Sequence, residues 1–253
     1  MKKLLLVVSL IVGLVSGAWA VDYNSCLHYD GKKCYYDADK AVQYALKYAK
    51  NDTYPFHYVY NDAGGDCTNF ASQVLLAGLT GKTSSYSIYS LRNKFLADRN
   101  GYLNSNTFLA WYFNSNNNIY AIGKGKYVID RGPAWQGAHQ LYYYASKNKN
   151  SYKGMYFKYI PFYPEDIKKG DFIFVNWTPS RTKSNGKKDH EMDHTMIVTK
   201  VNRNARNYSD VFVSYHSTDR KNISLQEVID LSEEGYNTIF IVFRPIFYSD
   251  YGL

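Results

Sequence analysis

The residue whose type and position most clearly suggest catalytic chemistry is Cys67. Residues 64–74 read GGDCTNFASQV, so Cys67 directly follows a Gly-Gly-Asp turn and begins an apolar pattern of helical period. Unpaired backbone N–H groups in the first turn of a helix, together with the positive end of the helix dipole, stabilise negative charge. A thiol held there is acidified and becomes nucleophilic. We therefore predict that Cys67 is a catalytic nucleophile, against the alternative that it is a small buried apolar residue.

A thiolate nucleophile needs a base, and the base needs a residue that orients it. His194 begins the strand-like segment HTMIVTKV, and His216 ends the similar segment DVFVSYH. If these segments pair through the turn at 202–209, both histidines lie at the same edge of the sheet. We predict His194 as the base and His216 as its orienting residue, the alternative being two ordinary polar residues at strand ends.

Acyl transfer also requires donors that stabilise an oxyanion. The Cys67 backbone N–H is one predicted donor. The second is a tyrosine of the preceding loop, Tyr58 or Tyr60 with Tyr54 as a further candidate, or the amide of Asn69. We expect Asp66 to cap the cysteine helix rather than to take part in the chemistry.

A competing reading is a zinc peptidase, because residues 190–194 spell HEMDH and fit the H-E-x-x-H pattern. That motif works on a helix, which places both histidines on one face. Here it follows a polar loop and leads into a β-branched run. We therefore predict no bound metal and no cofactor.

The N-terminus predicts export. Lys2 and Lys3 precede an apolar run that ends in small residues, which is typical of a secretory signal at 1–20. In an oxidising compartment Cys26 and Cys34, eight residues apart, are expected to form a disulfide in an N-terminal arm at 21–36. Cys67 then remains unpaired, and the protein is expected to be secreted or periplasmic.

The elements that position these residues predict an α+β fold. A helix is expected at 38–50, capped by Asp37, and the cysteine helix is expected to end at Gly78 and Gly81. Further helices are expected near 86–98 and 135–147, and a mobile loop at 178–193. Strands are predicted at 171–177, 194–201, 210–216 and 238–244.

Length and charge narrow the function classes. About 233 residues follow the signal, which suits one domain. The formal charge of +8 becomes +6 without Lys2 and Lys3, and favours anionic surroundings such as a cell envelope. Nucleic acid is not an expected partner, since export and the lack of a basic run argue against it. Nor is the protein expected to be an integral membrane protein after signal cleavage.

Several segments resemble the putative amidase domain family of bacteria in their order and spacing. They are GGDCTNFASQ, the Gly-Asp that opens GDFIFVNW, DHTMIVTKV and SYHSTDRKNISL, together with DADKAVQYALKYA and PAWQGAHQLYYYA, which resemble the first and middle helices of that family. The resemblance covers about 37–244, and DCTNF is its most specific part. It implies a papain-like fold, more distantly similar to NlpC-type cell-wall endopeptidases and cysteine-histidine-dependent amidohydrolases.

The resemblance also implies roles for individual residues. Cys67 would be the nucleophile, His194 the general base and acid, and His216 the third polar residue of a domain at 37–253 with an insertion at about 82–160. The expected activity is hydrolysis of an amide or peptide, such as one in peptidoglycan, through a thioester. The alternative is a wall- or glycan-binding module that keeps the scaffold without catalysis.

Overall fold

The computed structural model describes the chain in segments. They are 33–50, 66–83, 113–114, 120–122, 126–128, 130–131, 133–147, 154–179, 181–186, 190–232 and 237–249. The signal at 1–20, Cys26, the three loop tyrosines Tyr54, Tyr58 and Tyr60, and the expected helix at 86–98 lie outside the described residues.

The described residues form a series of short strands and helices. In chain order they are β1 (Lys33–Tyr35), α1 (Ala38–Tyr48), α2 (Cys67–Thr80), β2 (Phe113–Asn114), β3 (Tyr120–Ile122), β4 (Lys126–Val128), β5 (Asp130–Arg131), α3 (Pro133–Gln136), α4 (Ala138–Lys147), β6 (Gly154–Ile160), β7 (Phe172–Asn176), β8 (His194–Val201), β9 (Val211–Tyr215), β10 (Arg220–Ser224), α5 (Leu225–Asp230) and β11 (Ile239–Ser249). A short 3₁₀ turn at Tyr208–Asp210 leads into β9.

The two N-terminal helices form as predicted. Helix α1 begins after Asp37, whose carboxylate accepts hydrogen bonds from the N–H groups of Asp39 and Lys40. Helix α2 begins at Cys67, is buried along its whole length, and ends at Gly81, which has a left-handed φ of 68°. Its last turn is closed by the Gly81 N–H on the Ala77 carbonyl, so that the predicted stop at Gly81 is confirmed.

The predicted stop at Gly78 is wrong, because α2 continues through it to Thr80. Gly78 is instead a point where α2 approaches its neighbours closely. A Cβ there would lie 2.3 Å from Cε2 of Tyr36 and 3.1 Å from Cβ of Ala41. The missing side chain lets α2 pack against α1 and the segment before it.

All four predicted strands form and join one sheet. Its order is β1-β11-β7-β8-β9-β10, with β6 also paired to β11, and every pairing is antiparallel. Strands β1, β6 and β10 were not expected from the sequence. Two short ladders, β2 with β5 and β3 with β4, lie apart from this sheet.

The two faces of the sheet bury different partners. Ile197 of β8 belongs to the apolar cluster that α1, α2, α3 and α4 complete. Met196, its neighbour in the chain, points to the opposite face, where Leu225 and Val228 of α5 cover the sheet. The α+β class is therefore confirmed, with the N-terminal helices packed on a C-terminal antiparallel sheet.

Part of the segment predicted as an insertion at 82–160 belongs to this core. Trp135, Leu141 and Tyr144 are buried with the residues of α2, and β6 is a strand of the main sheet. Residues 133–147 and 154–160 thus help to complete the domain. Separately, no helix within the described segments has the length and apolar character needed to cross a membrane.

Candidate active site

Cys67 is the first residue of α2, and the next residue, Thr68, contacts strand β8. The Cys67 side chain is buried and unoxidised. The Thr68 hydroxyl lies 3.6 Å from Sγ and 3.3 Å from the hydroxyl of Thr195 on β8. These contacts fix the thiol between the helix terminus and the strand that begins with His194.

The surroundings make this thiol acidic. Burial raises the pKa of Cys67, but the charge and hydrogen bonding of the His194 imidazole oppose it, as do hydrogen bonds from the Thr68 hydroxyl and the Thr195 backbone. The net result is a pKa lowered from an ordinary 9.0 to about 7. Cys67 and His194 are therefore brought together, as the sequence analysis predicts.

His194 is held by the strand start and by aromatic rings. The residue before it, Asp193, donates its N–H to the Val175 carbonyl, and its carboxylate accepts from the Trp177 N–H. The ring of Tyr215 meets the His194 ring edge-on at 4.7 Å, and that of Trp177 lies 6.3 Å away. Within the described part of the chain, the buried Nε2 of His194 has no hydrogen-bond partner.

His216 does not orient His194, in contrast to the prediction. Its Nδ1 lies 3.0 Å from Oδ2 of Asp66, and its Nε2 lies 2.8 Å from the Tyr48 carbonyl oxygen. The ring also stacks on Phe70 at 4.1 Å. The structure therefore connects His216 to α1 and α2 rather than to the other histidine.

Strand register explains this difference. Ile197 pairs with Ser214, and extending that antiparallel register by two residues sets His216 opposite Thr195, not opposite His194. Adjacent residues of a strand point to opposite faces, so an offset of one residue exchanges the faces. Thr195 faces α2, and His216 shares that face.

Asp66 occupies the position before α2, but its side chain does not cap the helix, so that prediction is wrong. Its two carboxylate oxygens bind other groups. Oδ1 accepts from the side-chain Nδ2 of Asn69 at 2.7 Å, and Oδ2 pairs with Nδ1 of His216. The backbone of Asp66, at φ −86° and ψ 9°, lies outside the extended region that a capping residue normally adopts. The physical reason is the stronger attraction of a buried imidazole ring.

Asn69, a predicted oxyanion donor, is engaged in the same network. Its Nδ2 donates to Asp66, and its Oδ1 accepts from the Trp135 indole N–H at 2.8 Å. The Gln73 amide also reaches Asn69 Oδ1, at 3.4 Å, and accepts the Tyr44 hydroxyl at 2.6 Å. The amide therefore links the helix start to α3 and α1 instead of pointing to a developing charge.

Sequence reasoning missed several of these participants. The Tyr48 carbonyl is a backbone group, so its role does not depend on residue type and leaves no mark in the sequence. The roles of Thr68 and Thr195 depend on how α2 packs against β8, which the sequence does not show locally. Trp135 lies in the family-like segment PAWQGAHQLYYYA, for which only a helix was predicted. Its position two residues after Pro133, at the start of α3, was the available signal for a buried anchoring residue.

The HEMDH segment does not adopt the geometry of the zinc motif. Residues 190–193 precede β8 without forming a helix. His190 and Glu191 are exposed, and Glu191 pairs with Lys183 at 2.9 Å.

The predicted disulfide between Cys26 and Cys34 is not tested. Cys34 lies in β1, but Cys26 lies outside the described segments, so the disulfide stays a prediction.

The comparison with protein families shows which family the chain belongs to. The model of the putative amidase domain matches residues 35–242, a span that runs from the end of β1 into β11 and includes both histidines and Cys67. The chain belongs to the putative amidase domain family. Searches of curated proteins and of solved structures found no match. Membership in this amidase family indicates a hydrolase that acts on C–N bonds.

Proposed function

We propose that this member of the amidase family is an exported cysteine amidohydrolase that cleaves an amide or peptide bond through a thioester. The observation that carries the proposal is the Cys67 thiol, whose pKa is lowered to about 7 next to His194. A thiol with this pKa is about half ionised at neutral pH, when a free cysteine is almost wholly protonated. Burial alone would have had the opposite effect.

In the proposed chemistry, Cys67 and His194 make and break the covalent bonds to the substrate and to its protons. The Cys67 thiolate attacks the amide carbonyl carbon, and the carbonyl electron pair moves to oxygen. As the C–N bond breaks, the His194 imidazolium protonates the departing amine and the acyl group remains on sulfur. His194 then removes a proton from water, which attacks the thioester and releases the acid and the thiolate.

The helix start is suited to stabilise the oxyanion. The Cys67 N–H occupies the first position of α2, where a helix provides no acceptor for it. The Asp66 carboxylate does not cap this turn. A preorganised N–H group directed at a developing charge contributes strongly to acyl transfer. The second donor remains the predicted tyrosine, Tyr58 or Tyr60.

The arrangement of elements supports a papain-like fold as part of the proposal. A nucleophile at the start of a buried helix lies against an antiparallel sheet, and the histidine begins one of its strands. The aromatic neighbours of His194, not His216, contact its ring. The proposed catalytic unit is therefore a Cys67–His194 pair.

Export and substrate complete the proposal. The signal-like segment at 1–20 favours a secreted or periplasmic enzyme, and the positive charge favours an anionic substrate environment. Peptidoglycan, with its amide-linked peptides and carboxylates, satisfies both conditions. A free peptide is the other substrate of the same chemistry.

The test is to incubate the purified protein with peptidoglycan and with a peptide library and to identify the products by mass analysis. We expect new amino and carboxyl ends, loss of activity after iodoacetamide or in Cys67→Ser, and full activity after chelator treatment. Glu191→Gln is the control for the zinc-peptidase hypothesis, in which Glu191 would be needed for activity, and it should remain active. Inhibition by the chelator alone would contradict the cysteine mechanism. Wall binding without any hydrolysis, equal in wild type and Cys67→Ser, would instead favour the binding module.

A further inference from the structure

His216 makes two buried hydrogen bonds to groups that are both acceptors. Nδ1 is 3.0 Å from an Asp66 carboxylate oxygen, and Nε2 is 2.8 Å from the Tyr48 carbonyl oxygen. A neutral imidazole has one N–H and can therefore donate only one of these bonds. The side chains of His216 and Asp66 are 1% and 4% exposed, so bulk water does not compete for these bonds. Two acceptors on the two nitrogens of one ring favour the doubly protonated imidazolium.

The elements packed around His216 favour that positive charge. Tyr48 is the last residue of α1, and its carbonyl belongs to the negative end of the helix dipole. Asp66 adds a carboxylate from the start of α2, and Asp219 adds another from the turn after β9. The Phe70 ring stacks on the imidazole at 4.1 Å, a geometry suited to a cation.

Among the described residues, the titratable groups on the elements around His216 are Asp66 on α2, the Tyr48 phenol on α1, Asp219 in the following turn, and Cys67 and His194 at the adjoining helix and strand ends. Burial lowers the pKa of His216, but Asp66, the Tyr48 carbonyl and Asp219 together raise it above the ordinary 6.5. The same groups therefore favour the protonated ring over the neutral one.

We propose that the His216 imidazolium is a positioning residue for Cys67, because it holds the Asp66 carboxylate away from the start of the nucleophile helix. This inference rests on the proposed role of Cys67. Asp66 is joined to Cys67 by one peptide bond and has a residue type that readily caps a helix. Held by His216 and Asn69, its carboxylate does not accept from the N–H groups of the first turn.

The expected consequence of losing the cation is specific. Without His216, the Asp66 carboxylate is released to cap α2 and brings a negative charge to the N–H groups that stabilise the thiolate. A nearby like charge disfavours ionisation, so the pKa of Cys67 should rise. The same capping would occupy the N–H groups proposed to bind the oxyanion.

The first test uses the wild-type protein, so that it does not depend on a variant that folds. Histidine labelled with ¹⁵N is incorporated, and the imidazole nitrogen shifts are measured between pH 6 and 8, with His216 assigned by comparison with His216→Gln. We expect both nitrogens of His216 to carry a proton at pH 7. A neutral His216 at that pH would overturn the inference.

The second test measures the alkylation rate of Cys67 by iodoacetamide against pH. His216→Gln should lower the rate at pH 6 about tenfold relative to wild type, as expected for a rise of about one unit in the pKa of Cys67. His216→Lys, which keeps a cation with several donors, should react like wild type. The double variant Asp66→Asn with His216→Gln should also recover, because no carboxylate remains to be released.

Equal rates for wild type and His216→Gln, or a double variant as slow as His216→Gln, would overturn the inference. A purely structural role for His216 predicts the reverse order, in which the neutral glutamine is tolerated better than lysine. The readout needs no amide substrate. If Cys67→Ser hydrolysed as fast as wild type, the proposed function would fail while the alkylation result kept its meaning.

Discussion

His194 and His216 lie at the same end of the sheet on neighbouring strands, yet their surroundings differ completely. His194 contacts the Cys67 thiol and two aromatic rings, and its Nε2 has no hydrogen-bond partner among the described residues. His216 has a partner for each nitrogen and a stacked ring beneath it. The first histidine is placed to exchange a proton, whereas the second is placed to keep one.

The register of β8 with β9 determines which face of the sheet each histidine occupies, and therefore which groups it meets. Because His216 lies opposite Thr195 and not opposite His194, it faces α2 and meets Asp66. His194 interacts with the Cys67 thiol and can exchange a proton with it, whereas both nitrogens of His216 are held by acceptors. The following predictions test this division, from the largest effect to the smallest.

Replacing His194 should have the largest effect on activity. His194→Ala removes the proposed base and the group that lowers the pKa of Cys67, so hydrolysis at pH 7 should fall about a thousandfold. The measurement is the turnover of whichever amide substrate the product screen identifies. The exposed His190 is the matched control, and His190→Ala should keep wild-type turnover. A comparable loss in both variants would contradict the assignment.

Removing the carboxylate partner of His216 should mainly affect stability. Asp66→Asn leaves a buried imidazolium without its counter-ion, which should cost about 3 kcal/mol in the free energy of unfolding. Urea denaturation measures this cost, with the exposed Asp230→Asn as a control expected to change it by less than about 0.5 kcal/mol.

The two partners should also be coupled. The double variant Asp66→Asn with His216→Gln should lose less stability than the sum of the two single variants, because neither charge is left alone. Strict additivity of the two losses would show that the ion pair does not stabilise the fold.

The raised pKa of His216 predicts a pH-dependent stability. Below the ordinary value of 6.5 both folded and unfolded states bind the proton, and the stabilisation is complete. As pH rises, the unfolded state loses its proton first, so the free energy of unfolding falls with a limiting slope of about 1.4 kcal/mol per pH unit until folded His216 also deprotonates.

Cys67 contributes the opposite slope, since its folded pKa of about 7 lies below the ordinary 9.0. Urea titrations between pH 6 and 9 should therefore be made in Cys67→Ser, with and without His216→Gln. The decline should be seen only when His216 is present. The same decline in both proteins would assign it to another group.

The smallest effect is expected at the hydroxyl beside the thiol. Thr68→Val keeps the shape but removes the oxygen 3.6 Å from Sγ, so the alkylation rate of Cys67 at pH 6 should fall about threefold. Thr80→Val is the matched control at the other end of α2, where the hydroxyl donates to the Leu76 carbonyl and accepts from the Lys82 N–H. A fall of equal size in the control would point to the helix and not to the thiol.

Much of the fold follows from local sequence signals. Asp37 and Gly81 are placed correctly because capping and left-handed turns depend on neighbours in the chain. The four apolar strands form as predicted because their β-branched and aromatic runs are buried. Strand β10 was missed since Arg220–Ser224 is polar and largely exposed at the edge of the sheet.

The site was only partly predictable for a physical reason. Cys67 and His194 follow from a helix start and a strand start, and the structure joins them. The partners of His216 depend on the register of β8 with β9 and on the position of α1, which no local pattern encodes. The capping prediction for Asp66 was wrong because its carboxylate, although of a type that often caps helices, pairs with the distant His216 instead.

The central claim is that His194 acidifies Cys67, and the pH dependence of Cys67 alkylation by iodoacetamide tests it most directly. Mass analysis of the peptide that contains Cys67 gives the rate at each pH between 5 and 10. The account predicts a half-maximal rate near pH 7 in wild type, with a shift to pH 9 or above in His194→Ala. A wild-type midpoint near 9, or one that His194→Ala leaves unchanged, would contradict it.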